Sequence, residues 1–140
     1  MNGSTGLVWA VLAQIVLTFV MLSWMGLARA GAIRGRRLRP GNGALGDNVW
    51  PDDVRKVANN AHNQFETPIL FYVLCGVAML VGANGPVATL LAWGYVATRV
   101  VHAAIQVTIN RVRYRFAAFA AGIGMLAGLW ITVVVRLALG

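Results

Sequence analysis

Four stretches of this chain are each apolar enough and long enough to cross a lipid bilayer, and the bilayer leaves them one form to take. Lipid offers no partner for an unpaired backbone N–H or C=O, so an isolated crossing segment closes its hydrogen bonds on itself as a helix. About 20 residues rising 1.5 Å each cover the roughly 30 Å hydrocarbon core. The expected helices occupy residues 7–28, 52–83 (wholly apolar from Thr67 onward), 86–109 and 116–139. With 59% hydrophobic and 11% charged residues among 140, an ordinary water-soluble domain is excluded. A long Gly/Arg-rich loop follows the first run, then a tight Asn84-Gly85-Pro86 turn and a short link over 110–115 join the others. The expected fold is an all-α integral membrane bundle, four transmembrane helices running antiparallel up and down, as one domain over residues 1–140. The first run reads as a retained helix rather than a cleaved signal peptide, because MNGSTG carries no basic residue and the arginines come after the run.

The net charge of +8 falls in a pattern that argues for topology rather than for nucleic acid. Arg29, Arg34, Arg36, Arg37 and Arg39 follow the first run, Arg55 and Lys56 open the second, and Arg111, Arg113 and Arg115 link the third to the fourth. With four crossings these all lie on one side, which the positive-inside rule makes cytoplasmic. Both termini are then expected on the non-cytoplasmic side of a multi-pass protein, with a bacterial inner membrane as its location and Arg136 as the basic residue near the far face. The basic residues meet membrane lipid headgroups; no aromatic interleaving or nucleic-acid fold signal accompanies them.

The second run starts with helix-opening residues: Pro51 suits a first helical position, Asp52 and Asp53 suit the dipole, and Asp47 or Asn48 is placed to cap. Asn59, Asn63 and Glu66 follow at spacings of four and three, which puts them on one helical face with His62 beside them. An acidic side chain at the centre of an inserted helix costs about 2.5–3.5 kcal/mol, so such residues turn toward a bundle interior or a wet cavity and find partners. On the third run Arg99, His102 and Gln106 share a face by the same spacing, with Arg99 about 15 Å from the loop end near Asn110. Glu66 lies at a comparable depth on the antiparallel neighbour, so Glu66 and Arg99 are expected to meet. The two polar faces either line a hydrated pocket or clamp the register of the helices.

These elements, in this order, resemble the MAPEG superfamily, the membrane-associated proteins in eicosanoid and glutathione metabolism, in its microsomal glutathione transferase-like form: Asn63 and Glu66 in NQFETP, Arg99 and His102 in RVVH, Arg111 and Arg115 in RVRYR. The resemblance covers nearly the whole chain. It implies a homotrimer holding glutathione as co-substrate between adjacent subunits near the cytoplasmic side, and transferase or peroxidase chemistry on small hydrophobic electrophiles. By position, Asn63, Glu66, Arg99, His102 and Arg115 match glutathione-site residues, and Arg34 matches a basic residue given by a neighbour. Asn59, His62, Gln106 and Arg111 complete the candidate binding set. The chemistry is consistent with the ligand: two carboxylates call for arginines, an amine for a carboxylate such as Glu66, and a thiol for a fixed positive charge, here Arg115, the candidate catalytic residue. The chain departs from the family at Asn59 and Gln106, where many members carry arginine and tyrosine, and at Phe116, where some carry a hydroxyl.

Other features read plainly. Gly124 and Gly128 form a GxxxG expected to serve packing, the five tryptophans favour interfaces, and Cys75 is a small apolar residue in a helix. No metal is expected, since His62 and His102 lie on different helices with no cysteine at ligand spacing. Two other readings stay open: a non-catalytic lipid-binding or scaffold protein of the same fold, and a small transporter using Glu66, Arg99 and His102. Against the transporter stands the lack of an evident inverted repeat or broken helix.

Overall fold

The computed structural model describes residues 3–38 and 49–140. Arg39, Asp47 and Asn48 lie outside the described residues, so the expected capping role of Asp47 or Asn48 has no structural counterpart here. The chain forms α1 (Gly3–Arg34), α2 (Asp52–Asn63), α3 (Thr67–Leu80), α4 (Pro86–Val107) and α5 (Val112–Leu139), with no strand among the described residues. Among the described residues four segments are long and apolar enough to cross a membrane, the second being α2 and α3 taken together. The helices run several residues beyond the apolar runs in places: α1 extends to Arg34 and α5 begins at Val112. Pro51 is the residue preceding α2 rather than its first helical residue, while Asp52 and Asp53 do occupy the first turn.

The expected single helix over 52–83 is divided. Helix α2 ends at Asn63 and α3 starts at Thr67, with the backbone of Glu66 turned to φ −93°, ψ −96° between them. Pro68 explains the division. Proline has no N–H to give the carbonyl four residues back, and its ring collides with that carbonyl, which here belongs to Gln64. Placed within the first two positions of α3, the same proline loses nothing, because those N–H groups have no helical acceptor.

Each helix buries one stripe. Leu7, Ala10, Gln14 and Met21 face inward from α1, whereas Val8, Trp9, Phe19 and Leu27 face outward, as lipid permits. In α2 the buried positions Val54, Val57, Ala58 and Ala61 repeat at helical spacing; Val57 and Ala61 pack with Met21 of α1 and Ala103 of α4, and Val54 packs with Ala32 and Trp50. Phe71 of α3 stacks on Tyr95 of α4 with ring centroids 4.6 Å apart, and the Tyr95 hydroxyl and Thr67 Oγ1 share a hydrogen bond of 3.0 Å.

Lipid tails are as apolar as leucine, so close backbone approach rather than hydrophobic exclusion holds such helices together. Helices α4 and α5 approach closest at three glycines: a Cβ would sit 2.9 Å from Met125 Sδ at Gly94, 2.9 Å from Thr98 Oγ1 at Gly122 and 3.0 Å from Leu91 Cδ2 at Gly128. The expected GxxxG is therefore only half used, since a Cβ at Gly124 meets nothing within 4 Å.

A buried amide chain ties the break to its neighbours. Gln14 Nε2 of α1 donates to Gln64 Oε1 at 3.0 Å, Gln64 Nε2 donates to Asn60 Oδ1 at 3.0 Å, and Asn60 Nδ2 donates to the Ala103 carbonyl of α4 at 2.9 Å. All three side chains are fully or almost fully enclosed. At the basic end Arg37 grips Asp53 through two bonds of 2.9 and 2.7 Å, joining the end of α1 to the start of α2.

Two outcomes follow. Gly122→Leu lowers the thermal midpoint of the purified protein, corresponding to a loss of about 1–3 kcal/mol from overpacking, while Gly124→Ala leaves it unchanged. Gln64→Leu strands the amides of Gln14 and Asn60 and lowers stability by about 1–3 kcal/mol in the same assay.

Candidate functional site

The break does more than bend the second span. In a continuous helix the Asn63 carbonyl would accept the N–H four residues on; at the break it is left over, and Arg99 Nη2 of α4 donates to it at 2.9 Å. Arg99 is 3% exposed, so this bond fixes a cation inside the bundle. The Asn63 side chain reaches the same helix about two turns nearer the basic end, where its Nδ2 donates to Gln106 Oε1 at 3.0 Å. Glu66, at the turn itself, stays exposed.

The expectation that Glu66 and Arg99 meet is corrected in this respect. They line one cavity, but among the described residues they form no ion pair. The cause is the break: it turns Glu66 outward and gives Arg99 a main-chain acceptor in place of a carboxylate.

The cavity measures about 270 Å³ and lies between the break, α4 and the start of α5. Asn63, Glu66, Arg99, His102 and Arg115 form its polar side, and Val112, Phe116 and Phe119 its apolar side. Behind it, toward the basic end, a second hollow of about 270 Å³ takes in Asn59 and Gln106, with Asp52, Arg55 and Lys56 around them. Arg115 lines both. Its Nη1 donates to Asn110 Oδ1 at 2.9 Å, and Asn110, in the turn that follows α4, is left-handed, φ +47°, with its N–H on the Ile105 carbonyl. Asparagine tolerates that backbone better than most residues, so one residue serves both the turn after the helix and the anchoring of the arginine.

Three buried nitrogens at the cavity have no protein partner: Arg99 Nε, His102 Nδ1 and Arg115 Nε. Buried polar nitrogens without partners are uncommon, and two guanidinium groups lining one cavity suit an anion. No cluster of three His, Cys, Asp or Glu side chains occurs among the described residues.

The remaining sequence candidates fall elsewhere in the single chain. His62 is exposed and lines neither hollow; Arg34 is exposed at the end of α1; Arg111 is exposed just before α5, where its carbonyl accepts the N–H groups of Tyr114 and Arg115. Sequence reasoning did not single out Asn110, Phe119, or the Gln14–Gln64–Asn60 chain. A lone glutamine in the apolar first run was the available signal for Gln14, and NQFETP held Gln64 and Pro68 in view.

The geometry yields a local prediction. Arg99→Leu removes the donor to the Asn63 carbonyl and speeds amide hydrogen exchange over residues 64–67 by about tenfold or more, as expected for loss of a charged hydrogen bond, while Glu66→Gln leaves exchange there unchanged.

Comparison with curated proteins gives no match. The break removes one ground against a transporter. The family model of the MAPEG family matches residues 7–135. A match over nearly the full length, on four bilayer-spanning segments, makes this chain a multi-pass membrane protein that belongs to the MAPEG family.

Proposed function

We propose that this protein is a glutathione-dependent transferase or peroxidase acting on small hydrophobic electrophiles that reach it through the membrane. In this reading it is a homotrimer that holds glutathione between adjacent subunits near a cytoplasmic basic end. The observation that carries it is Arg115, anchored by Asn110, lining both hollows and presenting a buried Nε with no protein partner.

The donor set fits the tripeptide. Arg99 and Arg115 offer guanidinium groups to carboxylates, the exposed Glu66 carboxylate offers a partner to an ammonium group, and His102 with the amide atoms that Asn63 and Gln106 do not spend on each other offer further hydrogen bonds. Each hollow alone is smaller than the roughly 300–1,000 Å³ of common small-molecule sites, whereas a ligand extending past Arg115 into both has room within that range. Glutathione when bound supplies a thiol, and the ionised thiol is the nucleophile. Arg115 favours that ionised form by its fixed charge, and the amino-terminal end of α5 adds its dipole in the same sense. Phe116, Phe119 and Val112 keep the facing wall apolar and receive the lipophilic electrophile.

That apolar wall also favours a second reading, a lipid-binding member without turnover, since Asn63 and Gln106 satisfy each other and Phe116 offers no hydroxyl. Titration of the detergent-purified protein with glutathione, followed by calorimetry and by ultraviolet thiolate absorbance, separates the two. Saturable binding with a thiolate band that Arg115→Leu abolishes is the expected outcome. A folded protein that binds nothing at millimolar glutathione would overturn it in favour of the lipid binder or of another thiol.

A further inference from the structure

The end of the bundle opposite the basic links carries a feature that the glutathione reading does not use. A groove of about 420 Å³ runs between the turn that opens α4 and the last turns of α5. Its walls are Pro86, Val87, Ile131, Val135 and Leu139, and its one charged lining residue is Arg136. Arg136 is the only Lys or Arg in the sequence outside residues 29–115, and no Asp or Glu lies between residue 67 and residue 140. Among the described residues its guanidinium makes a single long contact, Nε donating to the Val81 carbonyl at 3.4 Å, which leaves both terminal nitrogens without a partner.

Depth is set by the helix. From Arg115 to Arg136, α5 covers about 32 Å at 1.5 Å per residue, close to the roughly 30 Å hydrocarbon thickness. With Arg115 at one boundary, Arg136 reaches the headgroup level of the opposite leaflet, and Ile131 and Val135 lie beneath it among acyl chains. An apolar groove under an unpaired cation at a membrane boundary is complementary to a molecule with an apolar chain and an anionic head.

We propose that this groove is a binding site for an anionic phospholipid of that leaflet, one acyl chain lying along Val87, Ile131 and Val135 and the phosphate on Arg136. The contact with the Val81 carbonyl holds the guanidinium over the groove mouth, so the site exists before the lipid arrives.

The test must read this groove rather than the arginine-rich end, so it maps positions. The full chain is placed in phosphatidylcholine nanodiscs containing phosphatidylglycerol or phosphatidylcholine with a photoactivatable group on the acyl chain, and labelled peptides are identified by mass spectrometry. The phosphatidylglycerol probe is expected to label residues 83–88 and 131–139 about fivefold more than the phosphatidylcholine probe, the selectivity one cation confers at a membrane surface. Arg136→Gln brings the two probes level, Arg136→Lys keeps the preference, and Arg113→Gln at the basic end leaves it unchanged. Val135→Trp, which fills the groove and retains the charge, lowers labelling by both probes. Equal labelling of wild type by both probes, or a preference that survives Arg136→Gln, overturns the proposal. So does the absence of any labelling over these segments, the result expected if a second copy of the chain covers the groove.

Discussion

The arrangement of the candidate site depends on one interruption of a helix. Pro68 has no N–H for the helix, the second span breaks at residues 64–66, and the unclaimed carbonyl of Asn63 receives Arg99 from the neighbouring span. Inside a bilayer an irregular backbone is tolerated only where protein or a wet cavity satisfies it. The break and the buried arginine answer each other: each supplies the partner that the other, left alone, would lack. The cavity forms beside this pair because Glu66 turns outward there instead of closing the space with an ion pair.

Around that pair the structure divides its polar groups by task. Gln14, Asn60 and Gln64 bond to one another and to the Ala103 carbonyl in an enclosed chain that links α1, α2 and α4, although Gln14 Oε1 has no partner among the described residues. Arg99, His102 and Arg115 each keep a nitrogen without a protein partner and border open space. Both halves of the choice left open by the sequence, pocket or register clamp, are thus present, carried by different residues. The far end of α5 repeats the second pattern with Arg136 over an apolar groove.

Much of this was legible from residue type and spacing. The four spans follow from apolar length, and the shared faces of Asn63 with Glu66 and of Arg99 with His102 follow from helical periodicity; these four, with Arg115, do border one cavity. The break was not read, although Pro68 stood in the sequence, because the apolar run beyond it outweighs one proline in any argument from hydropathy. Treating 52–83 as a straight helix then paired Glu66 directly with Arg99, whereas the two line one cavity without an ion pair among the described residues. Gln14 was illegible for a different reason: a lone amide in a lipid-facing run has no periodic companion, and its partner lies 50 residues away. The GxxxG reading failed at Gly124 because spacing identifies a stripe but not which neighbour it meets. Subunit assembly, and with it the place of Arg34, belongs to a level that one chain does not contain.

Arg99 is held by a main-chain oxygen, not by a side chain. Any amino acid at position 63 presents that same oxygen as long as Pro68 keeps the chain open. The placement of the cation is therefore insulated from drift at the neighbouring residue, and the side chain at 63 is at liberty to diversify. A lineage can retune what the cavity recognises through positions 63 and 106 without disturbing where its positive charge stands.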